Sequence, residues 1–356
     1  MVRKLLNNIK LNRQRYLEYK KWHLIDIRQT KNHTLPKLTR EEFELLKKTW
    51  PCFKFKHKDV LWARVYKKEF GFDPHYVSVG YHSILLKKIL NPYKQVCSLE
   101  NKALVDVYFP EIPFPEAYVR CINGNLFDKN LFPITFREAV SICKSKGMFI
   151  IKPALDSMQG TGVKKINLQK EDSYTDEWFE RLFKNATSNF IIQEVVSQHS
   201  EIAKLNPSSL NCCRITSIYI NGKYDFGAML KIGKSGSSVD NWNSSYLVGI
   251  NKDGYLNDVG WDNKINAVKC TDNGICFGGL LYPKFDVLTS TIEKFHKKYF
   301  PQCGIIGWDV FIDSNDNPMI IEANLVIPGI TAEQLCSGPF FKGIHDELID
   351  KLNNKE

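Results

Sequence analysis

Asp309 and Glu322 constrain this chain more than any other pair of residues. They lie in the stretch Gly304 to Asn324, GIIGWDVFIDSNDNPMIIEAN, which reads as two apolar strands around a polar turn. The turn, Ser314-Asn315-Asp316-Asn317, is built from residues that bond their own backbone and tolerate tight bends. Centring the hairpin between Asn315 and Asp316 predicts that Asp313 faces Pro318, Phe311 faces Ile320 and Asp309 faces Glu322. Side chains alternate along a strand, so Asp309, Glu322 and Asn324 then share one face. Like charges directly opposite each other destabilise a sheet. In an apolar setting such a pair points to a cation between the acids. Carboxylate and amide oxygens are hard donors, suited to Mg²⁺ held partly by protein and partly by phosphates. The alternative is a surface hairpin with both acids in water. A calcium loop does not fit, because Pro318 stands at its glycine position and Asn324 at its bidentate-acid position.

A chain of 356 residues is long enough to bury a large core. Its formal charge of +10 favours anionic partners such as phosphates, acidic sugars, nucleic acid or a membrane surface. There is no compact basic-aromatic signature of nucleic-acid binding, and no nucleic-acid partner is expected. No apolar run has transmembrane length, and the start, MVRKLLNNIKLNRQRY, lacks a signal-peptide core. The ten cysteines form no CxxC pair and no metal-finger spacing. Reduced, mostly buried thiols in a cytoplasmic protein are therefore expected.

Residues 1–95 read as a basic, mainly helical N-terminal region. Leu5, Leu6, Ile9 and Leu11 punctuate a basic first segment. It reads as an amphipathic helix packed on the body, or alternatively as one lying on the inner face of a membrane. Thr39 and Glu42 form a capping box. Lys87 and Lys88 lie on a second basic helix, Tyr81 to Leu90, and are expected to face solvent. Residues 96–200 carry a second capping box at Thr135-Phe-Arg-Glu, strands at 148–153, 163–168 and 190–196, and a helix around 175–183. In residues 201–356, Asn221-Gly222 and Asp253-Gly254 mark tight hairpins. A helix from Phe285 to Tyr299 carries an apolar stripe, and an amphipathic helix from Phe340 to Leu352 closes the chain. Strand pairs joined by tight turns with helices between them indicate an α+β fold.

Between the first two of these strands, Ile151-Lys152-Pro153 runs into Asp156-Ser-Met-Gln-Gly-Thr-Gly162. Glycines let backbone N–H groups approach phosphate oxygens closely, and a lysine supplies a point charge. The same loop also reads as an ordinary hairpin turn. Gln193-Glu194-Val195-Val196 ends the next strand, where backbone groups beside apolar side chains are placed to read an adenine edge. Arg214 and Lys231 begin and end a strand pair and suit a carboxylate or phosphate; the alternative is two solvated sheet-edge charges. Asp240 to Ser245 is a polar loop around Trp242. His199 reads as a helix cap.

In this order, the lysine strand, the small-residue loop, the Gln-Glu strand, Asn211-x-x-Arg214, the Asp240-Asn241 loop, Gly307-Trp-Asp309 and Glu322-x-Asn324 resemble the ATP-grasp superfamily. The resemblance is closest to its branch associated with cell-surface sugar transfer, and it covers roughly residues 95 to 335. It implies an ATP-grasp fold, with two α+β subdomains gripping the nucleotide between antiparallel sheets behind a helical N-terminal region. Residues 96–200 would then form the N-terminal and central subdomain, and residues 201–356 the C-terminal one with the metal-binding hairpin. By this resemblance Lys102 and Lys152 contact ATP, and the loop containing Ser157, Gly160, Thr161 and Gly162 covers its phosphates. Gln193, Glu194 and Val196 lie at the adenine and Glu201 near the ribose. Asp309, Glu322 and Asn324 hold Mg²⁺, with two ions expected and Mn²⁺ an alternative. Arg214 and Lys231 face the γ-phosphate and substrate. Two departures bear on the substrate: Lys231 stands where arginine is usual, and Asn243-Ser244-Ser245 replaces a glycine-rich stretch.

The resemblance implies an ATP-dependent carboxylate–amine ligase working through an acyl phosphate on small-molecule or sugar-linked acids and amines. The setting it implies is modification of a capsular or lipopolysaccharide sugar. A kinase acting on a sugar or polyol hydroxyl would use the same motifs. A nucleotide-binding or sugar-binding protein without turnover is the alternative of another class.

Overall fold

The computed structural model describes residues 2–53, 60–155, 160–170, 174–236, 244–326 and 328–354. Ser157 of the small-residue loop and Asp240 to Asn243 of the polar loop lie outside the described residues. Two antiparallel sheets organise the rest. The first contains β1 (Ala117–Ile122), β2 (Asn125–Asp128), β3 (Met148–Pro153), β4 (Lys164–Asn167) and β5 (Phe190–Gln193), in the order β2-β1-β5-β3-β4. The second contains β6 (Cys213–Ile220), β7 (Lys223–Gly233), β8 (Ser245–Ile250), β9 (Leu256–Trp261), β10 (Ala267–Val268), β11 (Ile305–Ile312) and β12 (Pro318–Asn324). Its order is β10-β9-β8-β7-β6-β11-β12.

The elements expected from sequence include neither β1 nor β2. Their turn, Asn123-Gly124, has both residues at positive φ, as does Asn221-Gly222 between β6 and β7, so both pairs follow the same hairpin rule. Helices Phe136–Lys146 and Asp176–Asn185 cover one face of the five-stranded sheet. The Thr135–Glu138 capping box makes both of its bonds. Val140, Phe149, Ile151, Phe179 and Ile192 fill the layer between. Arg120 and Lys152 each lie beside Ile191 in the register and so share the opposite face.

The seven-stranded sheet is covered on both sides. Ile215, Leu230, Val248, Ile306, Trp308 and Val310 pack with Phe285, Leu288, Ile292 and Phe295 of the helix Phe285–Tyr299, as the apolar stripe predicts. On the other face lies a helix not expected from the sequence, Thr331–Ser337. Gly249 makes its close approach possible, since a Cβ there would sit 2.2 Å from the Cys336 carbonyl oxygen. The closing helix is shorter than expected, a 3₁₀ turn at Lys342–Ile344 followed by His345–Asn353.

The N-terminal helices pack on this second sheet and on the C-terminal helices. Phe43, Trp50, Leu86 and Leu90 share a core cluster with Ile218, Ile305, Phe341 and Leu348. The first helix, α1 (Val2–Thr30), is pinned by Glu18, which pairs with Lys88 at 3.2 Å and Lys87 at 3.8 Å. Lys87 is therefore not the solvated cation expected. It begins the last α-helical turn, Lys87–Leu90, after a π-helical turn at His82–Leu86.

The hairpin register differs from the expected one near the turn. Ile312 pairs with Pro318, Phe311 with Met319 and Val310 with Ile320, yet Asp309 still pairs with Glu322. Asp313 explains the first part: its Oδ1 accepts the N–H groups of Asn315 and Asn317, both at 2.8 Å. Asp316 at φ +65° then closes a three-residue turn between Asp313 and Asn317 in place of a centred one. A β-bulge at Ile321 restores the pairing. The bulge also breaks the alternation, so that Ile320 and Ala323 both join the core, and Glu322 turns to the face of Asp309. Simple alternation would have put Ile320 and Glu322 on one side.

One expectation about cysteines fails. Cys270 and Cys276 are joined in a disulfide across the loop between them. The other eight are free thiols, six of them buried. Burial pushes Cys143 and Cys303 up to about 12, so these thiols are inert at neutral pH.

Candidate active site between the two sheets

Asp309 is the centre of a buried charge ladder. Its Oδ1 accepts Arg214 Nε at 2.7 Å and Lys231 Nζ at 2.9 Å, and its Oδ2 accepts Arg214 Nη2 at 2.9 Å. Register places these groups: Arg214 is directly opposite Asp309 on the neighbouring strand. Burial alone would raise the Asp309 carboxyl, but Arg214 and Lys231 outweigh it and hold it far below the usual carboxylate range. Gly307, on the same face of β11, leaves room for the guanidinium. A Cβ there would come within 3.1 Å of Arg214 Nη1.

Glu322, directly across the hairpin, pairs instead with Lys102 at 3.2 Å. Lys102 belongs to the other half of the site. Its backbone N–H donates to the Ala154 carbonyl at the end of β3. Arg120 on β1 fixes the following turn through the Ala103 carbonyl at 2.6 Å and a two-pronged pair with Asp106. The Lys102–Glu322 pair thus ties one sheet to the other. Lys152, buried on β3, completes the group. Burial pushes its ammonium down to about 8; Glu322 and Asp309 oppose that shift, while Lys102 adds to it.

The repulsion between Asp309 and Glu322 is therefore offset by the protein's own cations. Carboxylates facing each other in this register do not need a metal to coexist. The donors still fit one in part. Asp309 is saturated, since Asn324 Nδ2 also approaches its Oδ2 at 3.5 Å. Among the described residues, only Lys102 reaches the Glu322 carboxylate, at Oε2. Asn324 spends its NH₂ group on Gly307 O and Asp309, and no donor among the described residues takes its carbonyl oxygen. Among the described residues no group of three His, Cys, Asp or Glu side chains is placed to hold a metal by itself. An ion at Glu322 and Asn324 would need phosphate oxygens as further ligands, the usual situation for Mg²⁺.

The other expected site residues are more dispersed. Gln193 is buried at the end of β5. The Glu194 carboxylate accepts the Glu116 N–H at 2.9 Å and its own N–H donates to the Glu116 carbonyl at 2.9 Å, so both its side chain and its N–H brace the sheet. Val196 lies in the extended segment that leads from β5 to the hairpin turn, where Ser314 N–H meets Ser197 O and His199 N–H meets Ile312 O. His199 caps the short helix Ser200–Ala203, as expected. Glu201 is exposed and paired with Lys204 at 2.6 Å, which lowers its pKa. Gly160 and Gly162 adopt positive φ in the β3–β4 loop, and a Cβ on Gly162 would strike Pro153. Thr161 is exposed between them.

Three residues of the site escaped sequence reasoning. Glu333, 3 % exposed, accepts the Thr216 hydroxyl at 3.2 Å and stands 3.6 Å from Arg214 Nη1. Burial raises its pKa against the pull of Arg214. Glu100 accepts the N–H groups of Leu325 and Val326, just past Asn324. Asn91 bonds both strands of the hairpin, donating to Ile305 O and Leu325 O and accepting from Gly304 and Ile305 N–H. Glu333 and Glu100 lie in short helical turns and Asn91 just past one, and no local pattern separates them from surface residues.

The sequence pattern of sugar-transfer associated ATP-grasp proteins matches residues 81–347. The chain belongs to this ATP-grasp family. The match spans both sheets and the charge ladder, and family membership carries with it the ATP-grasp fold and ATP binding. No curated protein matches the sequence. Among solved structures, the D-alanyl-alanine synthetase A of Vibrio cholerae aligns with TM-score 0.43 and 13 % identity over 72 % of this chain and 64 % of its own. The D-cycloserine synthetase DcsG aligns with TM-score 0.40 and 13 % identity over 75 % and 73 %. The D-alanine–D-alanine ligase of Coxiella burnetii aligns with TM-score 0.39 and 12 % identity over 73 % and 59 %. The chain thus spans less than two thirds of the length of the first and last of these.

Proposed function

We propose that this ATP-grasp protein is a carboxylate–amine ligase that forms an amide through an acyl phosphate and releases ADP and phosphate. We further propose that its acid is a sugar acid or a related precursor of a cell-surface polysaccharide. The observation that carries the reading is the cluster of Lys102, Lys152, Arg214 and Lys231 around Asp309 and Glu322, drawn from both halves of the site. Such a site is arranged to hold anions and move phosphoryl charge, and it needs no protein nucleophile.

In this reading Lys102 and Lys152 hold the nucleotide phosphates, and the loop from Ser157 to Gly162 covers them. The backbone of Gln193, Glu194 and Val196 reads the adenine edge. Glu201 reaches the ribose only by releasing Lys204. Arg214, locked in place by Asp309, and Lys231 stabilise charge on the γ-phosphoryl group as the substrate carboxylate attacks it. The amine then displaces phosphate. Glu322 and Asn324 would hold Mg²⁺, with the Asp309 carboxylate beside them; a second ion, or Mn²⁺ in its place, would use the same class of oxygen donors. Mg²⁺ when bound neutralises the phosphates.

A screen of acidic sugars against amines, read by ADP release and product mass, tests the proposal. Amine-dependent turnover and a hydroxamate trapped by hydroxylamine are the expected results. Phosphorylation of a hydroxyl acceptor without an amine would make the protein a kinase. ATP binding without ADP release under any pairing would leave it a binding protein.

A further inference from the structure

No helix among the described residues is long and apolar enough to cross a membrane, yet α1 carries a surface that its own fold leaves uncovered. The span of α1 contains eight Lys or Arg and two acids, so most of the +10 charge of the chain sits in one helix. Tyr16, Leu17, Leu24 and Ile27 are 61, 53, 46 and 44 % exposed. At 3.6 residues per turn these four fall within a sector of about 100°. Exposed Arg13 and Lys20 lie inside the same sector, and exposed Arg28 borders it. The inner side is accounted for: Glu18 pairs with Lys87 and Lys88, and Tyr19 packs at a tilt against Tyr81 over Gly80, where a Cβ would come within 3.0 Å of its ring. Single exposed apolar residues are ordinary, but a stripe of four interleaved with cations on one helix is the composition of a helix that lies in a bilayer interface.

A second observation adjoins the stripe. A cavity of about 530 Å³ opens at the C-terminal end of α1, lined by Arg28, Lys31, His33, Lys68, Glu69 and Lys264 among others. Four of these are cations and one is an acid, which is itself paired with Lys68 at 3.0 Å. His33 closes the floor by bonding the Lys264 carbonyl at 2.7 Å. Arg28 belongs to both features, so the cavity mouth continues the basic edge of the stripe.

We infer that the outer face of α1 docks the protein on a membrane containing anionic lipid, with the apolar stripe in the interface and the cavity receiving lipid headgroup phosphate. Charge complementarity selects this occupant: the outer face presents cations and apolar groups, the combination that an anionic bilayer matches.

The test is co-sedimentation of the full chain with phosphatidylcholine vesicles, with and without about a third phosphatidylglycerol. Binding to the anionic vesicles alone, weakened by salt, is expected. The Lys20→Glu/Arg28→Glu double variant should bind about a hundredfold more weakly. Leu17→Ser/Leu24→Ser should lose about tenfold, and Lys31→Glu/Lys264→Glu should weaken binding through the cavity alone. All these side chains are exposed or at the cavity rim, so unchanged circular dichroism is the folding control. Equal sedimentation with neutral vesicles, undiminished binding by the charge-reversed variant, or no binding to anionic vesicles would overturn the inference. Release of the protein from vesicles by millimolar inorganic phosphate would also overturn it, and would make the cavity a site for a soluble anion.

Discussion

Lys152→Met removes a buried ammonium from the cleft and leaves an unbranched side chain of similar length. Lys152 is 6 % exposed and its pKa is pushed from 10.5 down to about 8 by burial, net of the attraction of Glu322 and Asp309. At 1.36 kcal/mol per pKa unit, keeping this lysine charged costs the fold roughly 3 kcal/mol at neutral pH. The sign follows from proton counts. Between pH 8 and 10.5 the unfolded chain binds the proton and the folded chain does not, so wild-type stability rises with pH across that window. Below pH 8 both states are protonated and the full cost is present. Methionine carries no such cost. Lys152→Met should therefore be more stable than wild type by roughly 3 kcal/mol at pH 7, about 4 °C in melting temperature for a chain of this size. The advantage should shrink toward zero as pH approaches 10.5. Urea unfolding at pH 7, 9 and 10.5 measures it, and nucleotide titration of the same variant should show weakened ATP binding. A variant less stable than wild type at pH 7, or an advantage independent of pH, would refute the electrostatic account of Lys152. A stability gain with unchanged ATP affinity would leave the electrostatics standing and remove Lys152 from the nucleotide site.

The two acids of the hairpin should respond differently to truncation. Asp309→Ala strands Arg214 and Lys231 in the sheet and should cost about 3–5 kcal/mol in denaturant unfolding, whereas Glu322→Ala should leave the fold nearly intact and abolish Mg-ATP turnover. Wild-type turnover in Glu322→Ala would sink its metal role. Gly307→Ala should displace the Arg214 guanidinium by a few tenths of an ångström and cost about 1 kcal/mol of stability, with a larger loss in kcat than in ATP affinity; equal effects on both would show that Arg214 tolerates the shift. Glu333 has a raised pKa, so the folded state holds a proton that the unfolded state has released, and stability falls as pH rises from the ordinary carboxylate value to the raised one. Glu333→Gln should flatten that fall in a pH series of melting temperatures. Finally, alkylation of the unfolded, unreduced protein should label eight thiols, and ten after reduction; ten in both conditions would show that Cys270 and Cys276 are not joined.

Short-range chemistry was readable from the residues themselves. The Thr39 and Thr135 capping boxes, the Asn221-Gly222 and Asp253-Gly254 turns, the His199 cap and the limits of the Phe285–Tyr299 helix each depend on interactions spanning a few positions. The Asn123-Gly124 hairpin carried the same signal. The order of motifs along the chain was equally legible, because a family pattern is a property of the sequence. The site itself was legible as a set of residue types and not as a set of contacts.

Only tertiary structure decided those contacts. Asp309 meets Glu322 because a bulge at Ile321 corrects a turn tightened by Asp313, and a bulge is selected by which of Ile320 and Glu322 the core accepts. Asp309 is neutralised by Arg214 and Lys231, 95 and 78 positions away, and Glu322 by Lys102 from the other sheet. The two like charges that the hairpin brings together are offset by three cations from elsewhere in the fold. An isolated strand pair carries no information about which charges a distant strand or loop will bring to its face. Sequence therefore determined where acids, lysines and glycines stand along the chain. Packing of the two sheets determined which of them share one low-dielectric cleft, where each charge is strong enough to set the state of the next.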